Sequence, residues 1–400
     1  MQHTFGVREL IRAGLQDLDR ARELLQELQD NGVSDDRLQS LMATLEHSCD
    51  PDVALRNLID IIKALQSQGR RFDDIVTNGE GLTRLVTVLG VSDEMGKLMR
   101  FRPELVAAAA NDACESHLYN HAQRRAHVLE AVGADPQESA MPKASLPLSE
   151  AATALRQTYR KQLAAIMAQD AMETDPTTIQ PRISQELSDL ADAALEGALA
   201  IARNEIEGSE HVRFTIIGMG KLGAQELNYV SDVDLIYVVE PADPDTNGMT
   251  LNRIGTKLAT TLQRVCQSVI MGVAEPTLWQ IDGGLRPEGK DGPLVRRLES
   301  HEAYYEQWAE NWEFQALLKA RPVAGDPELG KAYMDMTRPF VWTASKRDNF
   351  VYDCQQMRKR VEDLIPAPLK DREIKLGRGG LRDVEFTVQM LQLVHGRSDE

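Results

Sequence analysis

Asp232 and Asp234 stand two residues apart at the head of a β-branched and aromatic run, Val233–Val239. Successive side chains on a strand leave opposite faces, so two carboxylates at this spacing leave the same one. They repel each other there, and a cation held by oxygen ligands removes the cost. A third acid, Asp282, closes another short run of strand character, Thr277–Ile281. Carboxylates on neighbouring strands suit a pair of magnesium ions, with manganese as the alternative. Such ions neutralise a polyphosphate and clamp the entering and leaving oxygens of an in-line displacement at phosphorus. The chemistry this predicts is nucleotidyl transfer, with Asp232, Asp234 and Asp282 as its catalytic and metal-binding residues.

The approach to these acids is rich in glycine. Residues 218–238 read GMGKLGAQELNYVSDVDLIYV. Gly218, Gly220 and Gly223 let backbone N–H groups come close to a phosphate, and Lys221 and Ser231 offer further donors. The same glycines satisfy the G-x-G-x-x-G fingerprint of a dinucleotide-binding unit, with Glu240 as its ribose-binding acid. Chain length counts against that alternative. A parallel crossover needs at least about 10–12 residues including its helix, and only Ala224–Val230 separate the last glycine from Ser231.

Positioning these residues takes a small sheet. Val212–Ile217, Val233–Val239 and Thr277–Ile281 read as its strands. Between the last two, Leu251, Ile254, Leu258, Leu262, Val265 and Val269 mark one face of an amphipathic helix over 250–271. The surroundings read as helical. Leu10, Ile11, Leu15 and Leu18 recur at helical spacing, as do Leu24, Leu25 and Leu28, and Asp50-Pro51 opens a further helix through Leu65. The segment 136–148, with three prolines, reads as a loop. Helices resume at Ser149, break around Asp175-Pro176 and run to about Glu207. From His301 onward the pattern is helical again, interrupted at Gly325–Pro327, Pro366–Pro368 and Gly377–Gly380. The expected fold class is α+β and predominantly helical: an N-terminal helical region over 1–135, a mixed-sheet domain with helical lead-in over 149–300, and a helical domain over 301–400.

Bulk properties limit the partners. A net charge of −17 argues against broad nucleic-acid binding, which needs a basic surface to displace counterions. Cys49, Cys114, Cys266 and Cys354 are scattered, without metal-ligand spacing, and read as reduced thiols. The start of the chain lacks the apolar core of a signal peptide, and no apolar run approaches the roughly 18–20 residues needed to cross a bilayer. A cytoplasmic address and no membrane partner are the expectation.

The run at 218–238 also resembles the signature of the glutamine synthetase adenylyltransferase family, bifunctional enzymes that add AMP to, and remove it from, a tyrosine of glutamine synthetase. Three further segments resemble the family's motifs in order: LWQIDGGLRPEGKDGPLV at 278–295, ALLKARPVAGD at 316–326 and IKLGRGGLRDVEF at 374–386. The resemblance covers about residues 150–396, the N-terminal third being similar only in its helical character. It implies a fold like that of the DNA polymerase beta superfamily with helical partners. It adds Arg286 and Gly289 to the site, Arg286 to offset charge on the transferring group. Many relatives carry a second arginine at the position of Gly284, so Arg296 and Arg297 are possible substitutes here. Lys319, Arg321, Lys375 and Arg382 are further candidates for phosphate contacts.

Helices lead into the motif, so the chain resembles the N-terminal, adenylyl-removing half of these enzymes. The implied reaction is phosphorolysis: orthophosphate attacks AMP bound to tyrosine and releases ADP. The implied partners are glutamine synthetase, phosphate, ADP and a PII-type nitrogen signal protein. The alternatives are a catalytically silent sensor module of a larger adenylyltransferase, or the ATP-dependent adenylylating activity itself.

Overall fold

The computed structural model describes residues 5–111, 120–243 and 247–396. Cys114 lies outside the described residues; Cys49, Cys266 and Cys354 are free thiols. The fold is mostly helical, with one small mixed sheet. Among the described residues no helix is long and apolar enough to cross a membrane. The chain forms two compact units, one comprising residues up to Arg124 with Arg156–Leu190, the other Arg125–Leu155 with Ala191 onward.

The first unit is built from α1 (Val7–Arg12), α2 (Leu18–Asp30), α3 (Asp35–Leu45), α4 (Pro51–Ser67), α5 (Gly79–Val91), α6 (Asp93–Phe101) and α7 (Pro103–Ala110), followed later in the unit by parts of longer helices. Side-chain oxygens of Asp17, Ser34, Asp50, Asn78 and Ser92 accept N–H groups in the first turns of α2 to α6. Each meets a donor that the helix itself leaves without an acceptor. Leu55, Leu58, Ile61, Ile62 and Leu65 of α4 are buried together, as their spacing predicts. The periodic stretch from Leu10 to Leu18 proves to be two helices. Gly14 takes a positive φ of 80°, and Leu15 N–H turns back to Leu10 O at 3.2 Å. This is a glycine stop of the kind that ends helices, and it leaves Ile11 exposed while Leu10 and Leu15 are buried.

The second unit contains α8 (His121–Ala131), α9 (Leu148–Met172) and α10 (Pro176–Glu205) in part, then the sheet. Strands β1 (Val212–Gly218) and β2 (Val233–Pro241) pair antiparallel over the whole of β1, from Val212 opposite Pro241 to Gly218 opposite Leu235. That pairing excludes the dinucleotide-binding unit, whose first two strands run parallel. Between them lies a single short helical turn, α11 (Gly220–Gly223). β3 (Ile281–Asp282) and β4 (Val295–Arg296) both pair parallel with β2, near its start and its middle respectively. The expected strand over 277–281 is therefore reduced to a two-residue contact.

A fifth strand, β5 (Arg321–Gly325), pairs antiparallel with β1 across a register shift and lies past the expected boundary at residue 300. Its Pro322 obscured it in the sequence, since proline donates nothing to a ladder, but β5 closes the β3-β2-β1-β5 order as an edge, where proline is tolerated.

The two faces of β2 meet different helices. Tyr237 and Val239 point to α12 (Gly248–Gln267): Gln263 donates to Tyr237 Oη at 3.3 Å, and Ile254, Leu258, Leu262 and Val265 are buried. The helix stops at Gln267, short of the expected Met271, and leaves Val269 exposed. On the other face Ile236 and Val238 join Ile217 and Met219 in one core with residues of α13 (Leu298–Gln307), α14 (Asn311–Leu317), α15 (Pro327–Thr343), α16 (Phe350–Asp363) and α17 (Leu381–His395), among them Tyr305, Phe314, Tyr333, Cys354 and Leu393. Side-chain alternation puts Asp232 and Asp234 on this second face.

One ion pair fastens the glycine turn to the frame. Arg321 of β5 makes two bonds to buried Asp192 of α10, at 2.6 and 3.1 Å, and donates to Leu222 O and Gly223 O at 3.0 and 3.2 Å. Removing one partner of such a pair strands the other charge. Asp192→Ala is therefore expected to destabilise this unit by about 2–3 kcal/mol in urea unfolding, less than for a fully buried pair because Arg321 retains some solvent. A loss under about 0.5 kcal/mol would show that the turn is held elsewhere.

Candidate active site

The parallel register of β2 and β3 sets Asp282 directly beside Asp234, and Asp232 lies two residues back on the same face as Asp234. The three carboxylates thus lie on one face at one corner of the sheet. Asp232 and Asp282 are exposed and Asp234 is half-buried. Burial raises the Asp234 carboxyl to about 6; the charges of Asp232 and Asp282 add to the effect, and Arg382 and Lys375 oppose it. The site carries a local excess of negative charge.

The glycine turn closes over Asp234. Met219 N–H donates to Asp234 O at 2.8 Å, and Gly220 takes a positive φ of 54°. A Cβ on Gly220 would lie 2.5 Å from Asp234 Oδ2, so only glycine permits this approach. Gly223 is as constrained, since a Cβ there would fall 1.8 Å from Lys319 O. Gly218, at the end of β1, is packed against Val323. The N–H groups of Gly220, Lys221 and Leu222 open the short helix and have no acceptor within it.

The acids do not yet converge. Among the described residues no group of three His, Cys, Asp or Glu side chains is placed to hold a metal ion as it stands. Asp282 accounts for part of this, for its Oδ1 accepts Gly284 N–H at 2.7 Å. The donor chemistry nevertheless fits a hard divalent cation: three carboxylates on one face, one of them penalised for its own charge. A side chain at Gly284 would press on Asp282, with its Cβ 2.9 Å from Oδ1.

Most of the cations expected to reach a phosphate are engaged in the architecture. Arg286 donates to Gly283 O at 2.7 Å, Lys290 O at 3.1 Å and Gly292 O at 3.0 Å, so it shapes the loop after β3, whose Gly289 also has a positive φ. Lys221 Nζ donates to Asn228 Oδ1 at 3.0 Å. Arg296 pairs with Glu288, and Arg297 pairs with Glu240, which also accepts Leu298 N–H at 2.9 Å. Arg321 belongs to Asp192. Lys319 bridges Glu226, after the glycine turn, and Glu385 of α17, both at 2.9 Å. Ser231 lies two residues before β2, next to Asp232. The buttress formed by Asp192 had no local signal, because its partner lies 129 residues further along.

The raised Asp234 carboxyl makes a stability prediction whose sign is fixed. A carboxyl near 6 when folded and about 3.9 when unfolded costs nothing below pH 4, and its ionisation destabilises the fold increasingly as pH rises through 6. Asp234→Asn is expected to stabilise the metal-free chain by about 1–2 kcal/mol at pH 7.5 and to change little at pH 4. Magnesium should raise the melting temperature of the wild type more than that of the variant. A variant less stable than wild type at pH 7.5 without metal would contradict this electrostatic account.

Comparison with known proteins agrees with the motifs. Residues 82–336 match the glutamate-ammonia ligase adenylyltransferase family, and residues 355–399 match the GlnD PII-uridylyltransferase family. A protein of Bifidobacterium longum (strain DJO10A), named bifunctional glutamine synthetase adenylyltransferase/adenylyl-removing enzyme, is 76% identical over 392 residues, covering 98% of this chain and 36% of its own length. Proteins of the same name from Cutibacterium acnes and Streptomyces avermitilis are 43% and 42% identical over 98% of this chain, and over 39% and 37% of their own lengths. The chain thus spans little more than a third of the curated relatives it matches. The similarity also includes the N-terminal helices, which the motifs alone had left out. This chain belongs to the glutamate-ammonia ligase adenylyltransferase family.

Proposed function

We propose that this chain removes AMP from adenylylated glutamine synthetase by metal-dependent phosphorolysis of the AMP–tyrosine bond. The observation that carries the proposal is the corner of the sheet where Asp282 stands in register with Asp234, Asp232 shares their face and the glycine turn closes over Asp234, in a chain similar to enzymes named for both adding and removing the adenylyl group. The strand–turn–strand arrangement with its acids on the second strand and a neighbour supports a fold of the polymerase beta type. In this reading the nucleotidyltransferase domain begins near residue 149 and takes in β5, with the remaining helices flanking it.

In the reaction an oxygen of orthophosphate attacks the α-phosphorus of the tyrosine-bound AMP. The bond from phosphorus to the tyrosine oxygen breaks, its electron pair leaves with that oxygen, and a proton from solvent completes the free tyrosine. The new bond from phosphorus to phosphate oxygen makes the other product ADP. Asp232, Asp234 and Asp282 would hold magnesium or manganese, which when bound stabilises charge on the entering and leaving oxygens. Asp282 would turn away from Gly284 to join its neighbours. The N–H groups of Gly220 and Lys221, with the Ser231 hydroxyl, would orient the phosphate oxygens. Arg286 would act chiefly by holding the loop that presents Asp282. The match of residues 355–399 to the GlnD family supports a PII-type signal protein as a regulator.

Two assays on one preparation test direction. Adenylylated synthetase with magnesium should lose its adenylyl group only when orthophosphate is present, and the nucleotide product should be ADP. Unmodified synthetase with ATP should be labelled poorly. Free AMP without phosphate dependence, or robust labelling with no release, would overturn the proposal. Asp232→Asn should lower turnover by on the order of a thousandfold while leaving the circular dichroism spectrum unchanged.

A further inference from the structure

We propose that Lys375 binds the phosphate group that is added to AMP: orthophosphate before the transfer and the β-phosphate of ADP after it. This rests on the phosphorolysis reading for its role in turnover, although its binding test does not. Lys375 lies in the IKLGRGGLRD segment, which the acidic cluster and the glycine turn leave without a purpose.

Placement comes first. The segment is folded back on the start of α17: Leu381 N–H donates to Ile374 O at 3.0 Å, and Arg382 N–H to Lys375 O at 2.9 Å. The Lys319 bridge then fixes α17 beside the glycine turn, through Glu385 on one side and Glu226 on the other. Below them, Met219 of the turn and Leu393 of α17 share one core. The Lys375 backbone is thereby held at the start of α17, beside the glycine turn and on the sheet face that carries the three aspartates.

Availability comes second. Arg286, Arg296, Arg297, Lys319 and Arg321 each spend their charge on a carboxylate or on loop carbonyls. Arg382, on the same stretch of chain, is paired with Glu385. Lys375 is exposed, and among the described residues its ammonium makes no hydrogen bond or ion pair. A flexible ammonium of this kind suits a small dianion that enters and leaves at each turnover. The attacking orthophosphate becomes the β-phosphate of ADP, so one cation serves substrate and product alike.

The test is equilibrium binding of ADP and of AMP to the full chain with magnesium, by calorimetry, for wild type, Lys375→Gln and Lys375→Arg. Wild type should bind ADP more tightly than AMP. Lys375→Gln should weaken ADP about tenfold, as expected for one charge-assisted contact, and AMP less than twofold. Lys375→Arg should recover most of the ADP affinity, with all three proteins melting alike. In phosphorolysis the glutamine variant should raise the KM for orthophosphate about tenfold, with kcat within a few-fold of wild type. No wild-type preference for ADP, or a preference unchanged in Lys375→Gln, would overturn the assignment. If wild-type AMP release ignores phosphate while the ADP preference still depends on Lys375, the phosphorolysis reading fails and the β-phosphate contact stands.

Discussion

Everything at the candidate site depends on mutual repulsion among three carboxylates that the sheet holds together. Antiparallel pairing of β1 and β2 fixes where β2 begins, and parallel pairing with β3 places Asp282 in register with Asp234. Neither strand can slip by one residue without sending its apolar partners to the wrong face, because Ile236 and Val238 are locked in the core under the C-terminal helices. The acids are therefore crowded by the same packing that stabilises the sheet. Burial of Asp234 is the largest part of the cost, the neighbouring carboxylates add to it, and cationic charge is the natural relief.

That constraint explains how the positive residues are distributed. Loops rich in glycine come close to the acids with few apolar anchors, Met219 and Leu222 in the turn, and they are held as well by guanidinium and ammonium groups acting on carbonyls and distant carboxylates. Arg321 ties the turn after β1 to α10, Arg286 folds the loop after β3 on itself, and Lys319 joins the turn to α17. Rigidity at the phosphate side is obtained by committing these charges. In an acidic chain of net charge −17, the cations left to meet a phosphate are few and local.

Much of this was legible in the sequence because it is written in short spacings. The two-residue spacing of Asp232 and Asp234 determines a shared face, and the glycines at 218, 220 and 223 announce a backbone that approaches something closely. The helix cap at Asp50-Pro51 was equally local, whereas Asp326-Pro327 read only as a break and proves to start a helix. What escaped depends on contacts distant in the chain. β5 resembled a motif but not a strand, since Pro322 suits only an edge and the edge position is a property of the sheet. Arg286 looked like a phosphate ligand by type, and only the folded loop shows its donors turned to Gly283, Lys290 and Gly292. The stretch from Leu10 to Leu18 had helical spacing throughout, yet Gly14 ends one helix before the next begins.

The central claim is that Asp232, Asp234 and Asp282 act together as one cation site. Manganese binding followed by electron paramagnetic resonance, in the presence of ADP, tests it on the wild type and on the three single Asp→Asn variants. The account predicts saturable binding in the wild type, weakened by at least about tenfold in each variant, Asp282→Asn included although Asp282 is exposed and turned towards Gly284. Manganese affinity in Asp282→Asn equal to that of the wild type would contradict it, because the strand register would then have brought together a cluster that does not function as one.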